Sequence, residues 1–151
     1  MPPHVTLIHP FMDSRELHAE HLEALDALAR GHEPIELRFS ALGAFERGVW
    51  LTVDEPAPVR RLIGDIHARF PAYPPFGGDP GAVIPHVTLA KGTPSLLTKV
   101  SGAAAGLLPL AARAERLGLF GRSPEGWIEL WSTLLGRSGA GHVEGMDTTA
   151  V

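Results

Sequence analysis

Two five-residue segments of the chain are identical, Pro3-His4-Val5-Thr6-Leu7 and Pro85-His86-Val87-Thr88-Leu89. Each carries an imidazole and a hydroxyl two residues apart. Side chains of an extended strand alternate between its faces. His4 and Thr6 therefore share one face and Val5 and Leu7 the other, and His86 and Thr88 stand in the same relation to Val87 and Leu89. Two imidazoles suit a reaction in which one proton leaves an attacking hydroxyl or water and another goes to a departing oxygen. A free imidazole titrates near ~6.5, so both protonation states are at hand close to neutral pH. Each such proton transfer is typically worth ~10²–10⁴ in rate. The threonine hydroxyls can donate to non-bridging phosphate oxygens, whose charge grows in the transition state. The set points to phosphodiester chemistry that needs neither a cofactor nor a metal ion, with His4 and His86 catalytic and Thr6 and Thr88 binding phosphate.

The pentapeptides belong to a larger internal repeat. They lie 82 residues apart. The run from Pro34 to Phe45 aligns with Pro109 to Phe120 at a spacing of 75, so that Pro34, Arg38, Leu42, Gly43 and Phe45 recur as Pro109, Arg113, Leu117, Gly118 and Phe120. Trp50-Leu51 aligns with Trp127-Ile128 at a spacing of 77. Three matches in one order predict a duplicated strand-helix-strand-strand unit over about residues 1–54 and 82–134. Equivalent residues of two such units are expected to face each other across one groove. The predicted fold class is α+β and bilobal, with antiparallel sheets, helices outside and a central groove, in one domain spanning residues 1–135.

The elements that must position the motifs follow from the apolar pattern. Strand His4–Ile8 should stop at His9-Pro10, since proline cannot donate to a sheet ladder. Asp13 reads as a helix cap with Glu16 three residues on, and Leu17, His21, Ala24, Leu25 and Leu28 keep helical spacing as far as Gly31. Ile35, Leu37, Phe39 and Ala41 alternate with polar residues as in a half-buried strand. A turn at Gly43–Gly48 and a strand Val49–Val53 follow. Val59, Leu62, Ile63, Ile66 and Phe70 mark an amphipathic helix. Five prolines and three glycines make residues 71–85 a loop between the halves. The pattern restarts with strand Ile84–Ala90 and a helix capped at Thr93-Pro94, whose apolar side holds Leu96, Leu97, Val100, Ala104 and Leu107. Leu110–Leu119 and Trp127–Thr133 read as strands, and residues 136–151 as a disordered tail.

Four further residues are candidate substrate contacts. Arg38 and Arg113 hold equivalent places on the polar side of their strands and could meet phosphate bidentately. Lys91 follows Leu89 by two residues, and reaches the face of His86 only if the strand bends at Ala90. Phe76, in the Pro/Gly loop, is the candidate for stacking on a base, while Phe11, Phe45, Phe120, Trp50 and Trp127 read as core or lobe-edge residues. The remaining histidines have poor metal-ligand spacing, and His18 and His21, one helical turn apart, read as a solvated face.

Composition narrows the partners. Thirteen basic against 17 acidic residues give a net charge of −4, which argues against duplex nucleic acid, because neutralising its phosphates takes clustered Lys and Arg. A small anion remains allowed. With no cysteine, disulfides, thiolate nucleophiles and cysteine zinc sites are excluded. No segment reads as a signal peptide or reaches the ~18 apolar residues of a membrane span. The expectation is a cytoplasmic monomer that does not engage membranes.

The paired His4-Val5-Thr6-Leu7 and His86-Val87-Thr88-Leu89 motifs, on equivalent strands about 80 residues apart, resemble the two-histidine phosphoesterase superfamily, which includes bacterial 2′-5′ RNA ligase-like proteins and cyclic phosphodiesterases. The resemblance spans roughly residues 2–134. It implies a bilobal α+β fold and opening, hydrolysis or formation of 2′,3′-cyclic or 2′-5′ phosphodiester linkages in a small nucleotide or an RNA end. It carries His4, Thr6, His86 and Thr88 over as the working set. Two other readings stay open: a nucleotide-binding module that does not turn its ligand over, and an enzyme of the same fold acting on a non-RNA phosphoester.

Overall fold

A computed structural model of the protein describes residues 2–45 and 47–136. The chain forms helices α1 (Ala19–Arg30), α2 (Ala57–Arg69) and α3 (Pro94–Ala105). Seven strands accompany them: β1 (Ile35–Phe39), β2 (Ala41–Phe45), β3 (Gly48–Thr52), β4 (His86–Lys91), β5 (Leu110–Ala114), β6 (Arg116–Ser123) and β7 (Gly126–Leu134). All pairings are antiparallel. β1 pairs with β5, β3 lies between β2 and β4, and β6 forms a hairpin with β7. The fold is α+β, as expected from the sequence, and its sheets do not close into a barrel.

Two pairings join residues that the repeat makes equivalent. Val5 bridges Val87, the central residues of the two pentapeptides. Leu37 pairs with Ala112, equivalent at the spacing of 75. Each segment thus meets its own counterpart head to tail, as duplicated units do about a pseudo-twofold axis. The third match of the repeat is corrected: Gly43 faces Trp50 across β2–β3, whereas its counterpart Gly118 faces Ser132 across β6–β7. The β6–β7 hairpin is longer, so Trp127 lies nearer its tip and is not the counterpart of Trp50.

The core explains the alternation in β1. Ile35, Leu37 and Phe39 are buried, and Glu36 and Arg38 point away. They pack with Leu25 and Ala29 of α1, with Val59, Leu62, Ile63 and Ile66 of α2, and with Leu117, Trp131 and Leu135 from the second half. Val5, Leu7, Val87 and Leu89 lean on the same core, which leaves the histidines and threonines of both motifs on the opposite side. A hydrogen bond of 2.6 Å from Thr133 to Asp26 ties β7 to α1. Among the described residues no helix is long and apolar enough to cross a membrane.

Several boundaries differ from expectation. The segment His4–Ile8 pairs only at the Val5 bridge and is not a full strand. The first helix is broken: Asp13 caps a 3-10 turn, Ser14–Glu16, Leu17 is extended, and α1 starts after His18. The N–H of His18 donates to Nδ1 of His21 at 3.0 Å, so that pair serves as a cap. Gly43 lies inside β2 and not in a turn. The Leu110–Leu119 strand breaks at Glu115, as its counterpart breaks at Ser40. Helix α3 lies across the β2–β3–β4 sheet but buries no residue fully, and Leu96 and, beyond its end, Leu107 are exposed. The expected tail falls outside the described residues apart from Gly136, whose N–H bonds to the Ala29 carbonyl at 3.0 Å.

Candidate active site

Residues directly opposite in an antiparallel pair project to the same face. The Val5–Val87 bridge therefore sets His4 across from Thr88 and Thr6 across from His86, all four on the side away from the core. Facing side chains in such a pair start about 5 Å apart and diagonal ones about 7–8 Å apart. The imidazoles occupy one diagonal of this rectangle and the hydroxyls the other.

Both imidazoles are held in the same way. Nδ1 of His4 lies 2.9 Å from the Pro2 carbonyl, and Nδ1 of His86 lies 2.7 Å from the Ile84 carbonyl. A carbonyl oxygen only accepts, so Nδ1 is the protonated nitrogen in each ring and Nε2 is the one free to exchange protons with a ligand. The proline two residues upstream in the sequence has a visible use at the first motif, where it supplies the accepting carbonyl as Pro2; at the second, Ile84 does so. Aromatic rings back both histidines. Trp50 lies 5.4 Å from His86, and Phe120 stacks on His4 at 6.5 Å.

A cleft of about 520 Å³ opens beside the second motif, lined by His86, Thr88, Lys91, Phe45, Trp50, Phe76, Ile84 and Asp79 among others. His4 and Thr6 belong to the adjoining segment and not to this lining. Lys91 reaches the cleft through a bulge. Val49 pairs with Ala90 and Trp50 with Thr88, which leaves Leu89 unpaired. An extra residue reverses the alternation beyond it, so the bend that this role required at Ala90 is met one residue earlier and puts Lys91 on the side of Thr88. Phe76 stands on the rim at φ 51°, a left-handed conformation that is costly for a bulky side chain, and is 49% exposed.

The arginines are placed differently. Both project from the outer face of the β1–β5 ribbon, and neither lines the cleft. Arg113 lies 3.5 Å from Glu36 and 3.5 Å from Glu115. Arg38 lies near Asp54, whose carboxyl is held below its ordinary range by hydrogen bonds from the Ser40 hydroxyl and N–H, aided by the Arg38 charge.

Two wall residues were not singled out from sequence. Phe45 is 65% exposed and packs on Trp50 at 4.0 Å. Trp50 is 8% exposed and lies over Gly43, where a Cβ would come within 2.3 Å of the ring. The signal for this pairing was a glycine inside an apolar strand, opposite a tryptophan. Among the described residues no three His, Cys, Asp or Glu side chains gather as a metal site requires.

The sequence model of the 2′-5′ RNA ligase superfamily matches residues 1–125. Among solved structures, the crystal structure of E. coli LigT complexed with 3′-AMP is similar at a TM-score of 0.56 and 19% identity, over 90% of this chain and 78% of that one. The crystal structure of a phosphoesterase is similar at a TM-score of 0.52 and 18% identity, over 80% of this chain and 72% of that one. At these identities the likeness is one of fold. No curated protein matches.

Proposed function

The chain belongs to the 2′-5′ RNA ligase superfamily, and from that premise we propose that it is a phosphodiesterase of the two-histidine kind, acting on a 2′,3′-cyclic or 2′-5′ phosphodiester of a small nucleotide or RNA end. The observation that carries this reading is the matched pair of imidazoles, each with Nδ1 fixed on a carbonyl two residues upstream and Nε2 left for the substrate. One Nε2 takes the proton of the nucleophile while the other gives a proton to the departing oxygen. Thr6 and Thr88, on the second diagonal, donate to the non-bridging oxygens, and Lys91 adds a positive charge beside Thr88. Every proton transfer in this scheme is made by the chain's own residues.

The cleft also argues for a small substrate. Its lining offers one lysine and one aspartate, and the rest of its wall is largely apolar. Holding a long polyanion takes several cations. The test is turnover of 2′,3′-cyclic nucleotides in EDTA by wild type, His4→Ala and His86→Ala. Product from wild type and a loss of ~10²–10⁴ in each variant is the expected result. A folded wild type that leaves cyclic and 2′-5′-linked nucleotides intact would overturn it.

A further inference from the structure

The face of the β6–β7 hairpin that meets the first motif carries groups with no part in the two-histidine scheme. A bulge at Leu130 fixes which groups these are: Leu119 pairs with Trp131, which is buried in the core, and Phe120 pairs with Glu129. From there to the tip the side chains alternate, so Phe120 and Arg122 of β6 share the face away from the core with Glu129 and Trp127 of β7. The N-terminal segment runs along this face. His4 stacks on Phe120 at 6.5 Å, and His9 meets Trp127 edge to face at 6.1 Å. The Arg122 guanidinium stands over the Trp127 ring, 6.0 Å from its centre. The group is open to solvent: Trp127 is 40% exposed, and Arg122 and His9 are exposed.

We propose that Trp127 and Arg122, flanked by His9, form a second subsite that holds one nucleotide unit of the substrate, its base on the indole and its phosphate on the guanidinium. This subsite rests on the phosphodiesterase reading above. It makes the substrate a linear diester with a nucleoside on each side of the reacting phosphate, in preference to a mononucleotide whose two bridging oxygens belong to one ribose. The cleft lined by His86 includes no residue of this hairpin, so two nucleosides have separate places to lie.

Position, charge and spacing each support this occupant. Phe120 links the subsite to the reacting centre: its ring is stacked on His4, and Arg122 follows two residues later on the same face, a step of about 6.8 Å along a strand. The acid on this face, Glu129, is engaged by Arg116 at 3.1 Å and by the Ser132 hydroxyl. Among the described residues no carboxylate forms an ion pair with Arg122, so its charge is free for an anion in a chain of net charge −4. At 6.0 Å the guanidinium stands at the outer limit of cation–π attraction. It can therefore turn to a phosphate at little cost and leave the indole face to a base. Every base has a π-face, so stacking there should be tolerant of base identity.

The test compares a 2′-5′-linked dinucleotide carrying a terminal phosphate with a 2′,3′-cyclic mononucleotide, which is too short to reach the hairpin tip. Wild type, Trp127→Ala, Trp127→Phe, Arg122→Ala and Arg122→Lys are assayed on both, with folding checked by circular dichroism. The readout is the ratio of kcat/KM for the dinucleotide to that for the mononucleotide. Trp127→Ala should lower this ratio ~5–150-fold through KM, the loss expected for one stacked base, and Trp127→Phe should restore most of it. Arg122→Ala should lower it at low salt and less as salt rises, because exposed charges are screened, and Arg122→Lys should restore part. Removing the terminal phosphate should abolish the Arg122 effect and leave that of Trp127. Equal losses on both substrates, which a merely structural hairpin tip would give, overturn the subsite, as does an unchanged ratio in Trp127→Ala. A wild type that cleaves the mononucleotide alone also overturns it and leaves the phosphodiesterase reading standing. A wild type inert on both removes that reading, and the subsite with it.

Discussion

Replacing Gly43 by alanine should disturb the site without altering a catalytic group. Gly43 pairs with Trp50 across β2–β3, and an added Cβ would lie 2.3 Å from Cε2, 2.4 Å from Nε1 and 2.5 Å from Cζ2 of the indole. Carbon atoms in contact are about 3.5–4.0 Å apart, so the ring must retreat by roughly 1 Å or the strands must part. It has little room to do so. Trp50 is buried, with Phe45 at 4.0 Å and His86 at 5.4 Å. Overpacking of this kind costs about 1–3 kcal/mol. With a urea dependence of ~1–3 kcal/mol per molar for a small protein, the unfolding midpoint should fall by about 1 M. Whatever movement reaches His86 also shows in catalysis, where a displacement of about 1 Å can cost on the order of 10² in rate. Urea unfolding and kcat/KM on a 2′,3′-cyclic nucleotide measure the two effects. Gly43→Ala combined with Trp50→Leu, which removes the clashing ring, should recover part of the midpoint but not the activity. A Gly43→Ala protein with the wild-type midpoint and wild-type turnover would refute the placement of the indole against this glycine.

Other perturbations test separate parts of the structure. Ile63 is fully buried in the α2 face of the core, so Ile63→Ala should cost about 2–5 kcal/mol in urea unfolding, and a loss below ~1 would contradict the packing. Asp26 accepts from Thr133 and from Arg30, each at 2.6 Å. Asp26→Ala should cost about 1.5–3 kcal/mol, and Thr133→Val in the Asp26→Ala background should add little. Asp54 has a carboxyl held below its ordinary value of 3.8 by the Ser40 bonds. The unfolded chain therefore binds the extra proton first as pH falls, so this contribution is whole above about pH 4 and disappears as the pH drops through the folded value. Asp54→Asn should flatten the acid limb of the stability curve, and an unchanged limb would count against the pairing. Phe76 holds its rim position at φ 51°. Phe76→Gly should relieve ~1–2 kcal/mol of backbone strain, largely offset by glycine's freedom in the unfolded chain; KM for the nucleotide should rise, and an unchanged KM would remove Phe76 from the binding wall.

The part of the candidate site that local sequence could place was the part written twice. Identical pentapeptides gave the two histidines and threonines, and the alternation of a strand gave their common face. The second strand, β4, forms where expected because it lies between β3 and the Val5 segment. The first motif pairs only at Val5, which local sequence does not reveal, since strand pairing depends on partners far along the chain. The position of Lys91 was illegible for a related reason: the bulge at Leu89 is a mismatch of register with Val49 and Trp50, and appears only when both strands are placed. Gly43 read as a turn because glycine is common there, whereas its use is to receive a tryptophan ring. The two arginines alternated correctly onto the polar side of β1 and β5, but that face carries Glu36 and Glu115 as well, and Arg113 lies between them. The Trp50–Trp127 match failed because hairpin length differs between the halves, and a shared tryptophan does not reveal which residue lies across the hairpin from Gly118.

In the proposed reaction His4 and His86 act as a paired proton donor and acceptor at one phosphodiester. The pH dependence of kcat/KM on a 2′,3′-cyclic nucleotide tests it most directly, run with wild type and each single alanine variant. Wild type should give a bell-shaped profile, with one limb lost in His4→Ala and the opposite limb lost in His86→Ala, because each substitution removes one of the two proton-transferring groups. A wild-type profile without two limbs, or a bell that survives in either variant, would contradict it.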